Sequence, residues 1–111
     1  MRLTRDHSLV EEMVDAGQLT PEQAASHPKK NLITRALGVE PHVICDVYEP
    51  EVQAGDTLLL CSDGLSNQVQ AEEMLAQRKK SKTVHDLCKK LLKRALERGA
   101  PDNVTVCAIQ L

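Results

Sequence analysis

Two aspartates stand where strand-like apolar sequence meets a loop: Asp63 after Leu58-Leu59-Leu60-Cys61-Ser62 and before Gly64-Leu65, and Asp102 after Gly99-Ala100-Pro101 and before Asn103-Val104-Thr105-Val106. At such borders a sheet presents carboxylates to a cleft, where they serve as metal ligands. Hard oxygen ligands select Mg²⁺ or Mn²⁺ over Zn²⁺. Two such ions about 3.5 to 4 Å apart lower the pKa of a bridging water, and phosphate-ester hydrolysis is the natural reaction. A buried, unpaired carboxylate is costly, so each aspartate is expected to meet a cation or several backbone donors. Simpler readings stand beside this one. Asp63-Gly64 is also an ordinary turn, and Asp102 after Pro101 can cap a bend through its own backbone. Two carboxylates also leave most of the roughly six-oxygen shell of each ion unfilled, so the chain is short of ligands.

The elements that must hold these residues are short. Ser8 with Glu11 reads as a capping box, and Leu9, Val10, Met13 and Val14 recur at helical spacing until Gly17, which predicts a helix near 8–16. Thr20-Pro21-Glu22-Gln23 repeats the signal for a short helix ending near Ser26. Val43 to Tyr48 and Thr57 to Cys61 read as strands, the second apolar on both faces and therefore central. A short helix is expected over Glu72–Gln77, then a solvated basic loop, Gln77 to Lys82. The clearest helix follows: Thr83 caps it, Val84, Leu87, Cys88, Leu91, Leu92 and Ala95 form one stripe, and Gly99 closes it. Lys89, Lys90, Lys93, Arg94 and Arg98 occupy its other face. Asn103 to Leu111 reads as a last strand with little polar character on either side. The pattern is α+β, with helices covering a largely antiparallel sheet.

Composition narrows the function classes. With 111 residues the chain can bury roughly 65% of its unfolded surface. It has no Phe or Trp and a single Tyr, so its core is aliphatic and it offers no stacking platform for bases. A formal charge of -2 gives no general attraction to phosphate backbones, and nucleic-acid binding is not expected. Cys45, Cys61, Cys88 and Cys107 each follow an aliphatic residue without a Cys-x-x-Cys clip, which predicts buried thiols rather than a zinc or disulfide site. No apolar run reaches the ~18 residues of a membrane helix, and the N-terminus lacks a signal-peptide core. A reducing cytoplasm is the expected location.

Four blocks carry a resemblance. Leu3-Thr4-Arg5-Asp6-His7-Ser8-Leu9-Val10, His27-Pro28-Lys29-Lys30-Asn31-Leu32-Ile33-Thr34-Arg35-Ala36-Leu37-Gly38, Gly55-Asp56-Thr57 through Asp63-Gly64-Leu65, and Pro101-Asp102-Asn103-Val104-Thr105-Val106 resemble, in order, the bacterial PP2C-type (PPM) serine/threonine protein phosphatases. The resemblance spans nearly all of residues 1–111 and covers the C-terminal half of that catalytic domain, an α-β-β-α sandwich of largely antiparallel sheets with flanking helices. It implies that Asp63 and Asp102 are metal ligands for Mg²⁺ or Mn²⁺, two or more ions being held by the complete domain, and that Ser62, Gly64 and Asn103 lie next to that site. It also implies a flap at residues 17–30, with His27, Lys29 and Lys30 as substrate-facing candidates. The family's bridging aspartate, its earlier acidic ligand and its phosphate-gripping arginine belong to the N-terminal half, outside these blocks. Ser66-Asn67-Gln68 departs from the acidic or aromatic residue that often follows the family's Asp-Gly-Leu. His7 and His27 are more simply read as satisfying local backbone groups than as general acids. Lys29 and Lys30 have solvated surface as their ordinary role, with Arg35 the third basic residue considered for steering phosphopeptides.

The expected function is hydrolysis of phosphoserine and phosphothreonine in proteins by metal-activated water, as part of a larger catalytic domain. The alternative is a non-catalytic truncated or regulatory fragment that assembles through an exposed sheet. A third option keeps the fold and changes the substrate. Both strands predicted at the site are apolar on two faces while cover is short, so self-association, or pairing with the missing N-terminal half, is expected.

Overall fold

The computed structural model describes residues 1–111, which divide into two compact units, Arg2–Glu49 and Pro50–Leu111. In the first unit, α1 (Leu9–Asp15) and α2 (Pro21–Ala25) begin on the predicted caps. The Ser8 hydroxyl accepts from Glu11 N at 3.3 Å, and Thr20 and Gln23 form a reciprocal capping box. Val10 and Ala24 are this unit's buried apolar residues. Arg5 is paired with Asp15, and His7 Nε2 (3.3 Å) and Arg35 Nη1 (3.1 Å) both meet the Asp46 carboxylate. His7 thus pairs with a side-chain carboxylate as well as giving its carbonyl to Thr34 N.

The predicted strand at 43–48 does not form. No neighbouring strand supplies a ladder, and Ile44 and Val47 are exposed. Apolar alternation makes a strand only where another backbone pairs with it.

The second unit is built on β1 (Thr57–Cys61) and β2 (Val106–Gln110), antiparallel, with Leu59 opposite Ala108 and Cys61 opposite Val106. Between them the chain forms α3 (Asp63–Ser66), α4 (Ala71–Lys80) and α5 (Val84–Glu97). The core is Leu65, Val69, Leu87, Leu91 and Ala95, with Leu59, Met74, Val104, Val106 and Ala108 packed against it. Each fully buried leucine contributes roughly 1.5–3 kcal/mol of transfer free energy. The Thr83 hydroxyl accepts from Asp86 N at 3.1 Å, and Gly99 closes α5 with φ +88°, a conformation that a Cβ would strain.

Four expectations are corrected here. With only two strands in the sheet, β1 is an edge rather than a central strand. Its second face, and that of β2, lacks cover, leaving Leu60 53% and Ile109 44% exposed. Cys107 lies on that bare face and is exposed, Cys61 is exposed where β1 runs out, Cys45 is exposed in the other unit, and Cys88 is half-buried: aliphatic neighbours in sequence do not by themselves bury a thiol. The expected basic loop is instead the end of α4, where Arg78, Lys79 and Lys80 complement the helix dipole. Arg78 is not a solvated charge, since its Nε donates to Thr57 Oγ1 at 2.6 Å and its Nη1 to Ser81 O at 3.3 Å.

Arg98 joins α5 to the α3–α4 connection. It forks onto Glu73 with both contacts at 2.7 Å and reaches Gln68 O at 2.5 Å, while Arg94 approaches the same carboxylate at 3.5 Å. The Arg98 hydrogen bond is the main reason that Glu73 titrates below the ordinary glutamate range, partial desolvation acting in the opposite sense. A carboxyl whose folded pKa is depressed stabilises the fold above its unfolded pKa and loses that contribution as pH falls through the folded one. Thermal melts taken from pH 6 down through the carboxylate range should therefore show a fall in Tm that is shallower in Glu73→Gln. Parallel curves for the two proteins would contradict this linkage.

Candidate metal-binding site

The segments that carry the two aspartates are brought together by strand pairing. Beyond the last β1–β2 pair the ladder continues as Ser62 N donates to Thr105 O at 2.9 Å. The Ser62 hydroxyl then accepts from Thr105 N at 2.9 Å and donates to Asn103 O at 3.4 Å. On the far side of Asp63, a Cβ placed on Gly64 would lie 2.1 Å from Asn103 O and 2.9 Å from Asn103 C, so the two backbones touch where only glycine fits. Asp63 thus sits between two residues fixed to the segment that Asp102 leads into. Two residues after Asp63, Leu65 is fully buried and anchors α3 in the core.

Both carboxylates are exposed, in contrast to the buried groups expected from the flanking strands. Asp102 Oδ1 accepts from Asn103 N at 2.7 Å, the bend-capping role open to an aspartate after proline. One oxygen of Asp102 is engaged locally and the rest of the pair faces water. Nowhere in the chain do three or more His, Cys, Asp or Glu side chains converge to hold a metal ion. The donors present are hard oxygens suited to Mg²⁺ or Mn²⁺, and they make up only part of a shell of about six.

The remaining predicted residues fall as follows. Ser62, Gly64 and Asn103 form the contact just described, joined by Thr105, which no local sequence signal marks because its part is played by its backbone. His27, Lys29 and Lys30 lie in the other unit. There His27 Nδ1 accepts from Lys29 N at 3.0 Å and its carbonyl from Lys30 N at 3.1 Å, a local turn of the kind expected for a histidine beside proline. Both lysines are exposed.

Residues 13–111 match the sequence profile of Stage II sporulation protein E (SpoIIE). The chain belongs to that family. It is 42% identical over 109 residues to the serine/threonine phosphatase stp of Listeria monocytogenes, covering 98% of this chain and 43% of that protein. Among solved structures, the Mycobacterium tuberculosis serine/threonine phosphatase PstP/Ppp superposes with a TM-score of 0.87 at 42% identity, over 100% of this chain and 46% of that one. The catalytic domain of serine threonine protein phosphatase PstP in complex with two manganese ions gives a TM-score of 0.73 at 40% identity, over 95% and 42% of the two chains. The resemblance to PP2C-type phosphatases and the α+β class are therefore both borne out. The chain spans less than half the length of the relatives it matches. No helix is long and apolar enough to cross a membrane.

Proposed function

We propose that this chain supplies the metal-binding C-terminal part of a Mg²⁺- or Mn²⁺-dependent phosphatase acting on phosphoserine and phosphothreonine in proteins. The observation that carries the reading is the contact of Ser62 and Gly64 with Asn103 and Thr105, which brings two aspartate-bearing segments to one end of a strand pair. Its similarity to named serine/threonine phosphatases favours this over a non-catalytic fragment. Asp63 and Asp102 would hold the metal, and the bound ions would supply a hydroxide nucleophile from water near neutral pH. The chain's own part is to fix two negative charges side by side and keep them open to solvent. Residues 17–30, with His27, Lys29 and Lys30, form the substrate-side flap of the same domain. The bare face of the sheet, with Leu60 and Ile109, is covered by the remaining part of the catalytic domain.

Complementation tests this reading. Alone, the chain should hydrolyse a phosphoserine peptide no faster than Mn²⁺ in buffer; mixed with the N-terminal part of the Listeria phosphatase, it should form a complex with Mn²⁺-dependent turnover. A complex that forms and stays silent would reject the enzymatic reading and favour a non-catalytic module.

A further inference from the structure

We propose that Ser62 is a positioning residue for the metal site: its hydroxyl, diverted from capping its own helix, sets the spacing of the Asp63 and Asp102 carboxylates. The inference rests on the metal reading given under Proposed function. Ser62 stands at the N-cap of α3, where a serine hydroxyl ordinarily accepts from the amide of the second or third helical residue. Here it makes no such bond. It turns instead to the other strand, accepting from Thr105 N and donating to Asn103 O, while its own amide donates to Thr105 O. Helix α3 forgoes a local cap, and the freed hydroxyl ties the residue before Asp63 to Asn103 and Thr105, one and three positions after Asp102.

Gly64 closes the same contact from the other side by steric fit, but fit alone only prevents closer approach. The hydroxyl adds to the Ser62 N–Thr105 O bond in resisting separation. Together the two bound the movement of Asp63 against Asp102 in both directions, which a shared ion requires, because oxygen ligands of Mg²⁺ or Mn²⁺ are held to within a few tenths of an ångström. Neither carboxylate has a salt-bridge partner, and Asp102 is otherwise engaged only by Asn103 N.

Mn²⁺ titration of the isotopically labelled full chain, followed by paramagnetic broadening of its amide signals, tests this directly. In the wild-type chain, amides near Asp63 and near Asn103 should broaden together at one Mn²⁺ concentration. In Ser62→Ala both groups should broaden only at about tenfold higher Mn²⁺, the scale on which partners outside the coordination shell act on metal affinity. Thr105 amide exchange should also speed up by about tenfold or more, while α5 amides keep their protection. Ser62→Thr should restore both properties. Ser62→Cys, which keeps the volume and weakens the acceptor, should shift both in the same direction by less, and it serves as the test variant if Ser62→Ala does not fold. Joint broadening at the wild-type concentration in Ser62→Ala, with or without faster Thr105 exchange, would overturn the positioning role while leaving the metal reading intact. No broadening in the wild-type chain at millimolar Mn²⁺ would overturn the metal reading, and this role with it.

Discussion

Asp63→Asn and Asp102→Asn should each lower the Mn²⁺-dependent kcat/KM of the complemented phosphatase by at least about a hundredfold, beyond the range typical for groups that only support a metal ligand. Asparagine keeps the shape and one oxygen of the side chain but removes the negative charge. The comparison therefore isolates charge from packing. Both carboxylates are exposed and neither takes part in a salt bridge, so the substitutions should leave the unfolding free energy within about 0.5 kcal/mol of the parent, as expected for surface changes. Asp102→Asn also retains an acceptor for Asn103 N, which keeps the bend. Activity within threefold of wild type for either variant would remove that residue from the ligand set.

Gly64→Ala should destabilise the fold by about 3 kcal/mol, at or beyond the upper end of ordinary overpacking. The added methyl would meet Asn103 O at 2.1 Å and Asn103 C at 2.9 Å, both backbone atoms with no rotamer to yield, and Val104 Cγ2 at 3.3 Å. Relief requires the two segments to part. Motion on the Asp63 side is opposed by Leu65 in the core, and motion on the other side by the hydrogen bonds between Ser62 and Thr105. Urea denaturation should place Gly64→Ala far below Ser66→Ala, a change at an exposed position of the same short helix that should stay within about 0.5 kcal/mol of wild type. Equal midpoints for the two variants would show that the backbone contact at Gly64 is slack.

Much of the second unit was legible in advance because its signals are local. The Thr83 cap, the apolar stripe of α5 and the Gly99 stop each depend on residues within a few positions of one another; the cap and stop appear as read, and of the stripe Leu87, Leu91 and Ala95 are buried, Val84 and Cys88 half-buried, and Leu92 exposed. Strand β1 runs over Thr57–Cys61, as its apolar run predicts. The end of α4 was readable too: Gln77, Arg78, Lys79 and Lys80 are good helix formers with the charge sign that suits a C-terminus, and reading the run as a solvated loop undervalued that. Helix α3 was not readable, because Asp-Gly favours a turn and the helical turn there is held by burial of Leu65. The stretch 43–48 failed in the opposite sense, having strand composition and no partner.

By itself, the sequence determined where the caps, stops and apolar stripes lie, and it marked Asp63 and Asp102 as residues capable of metal chemistry, because side-chain type and spacing of three or four residues act within one turn of chain. It took the tertiary structure to bring the segments bearing these two aspartates into contact, to leave both carboxylates facing water, and to turn the Ser62 hydroxyl to the opposite strand rather than its own helix. The reason is that register between β1 and β2 is fixed by hydrogen bonds between distant segments, and by Leu59, Val106 and Ala108 packing on one helix-covered face. No window of neighbouring residues encodes that pairing.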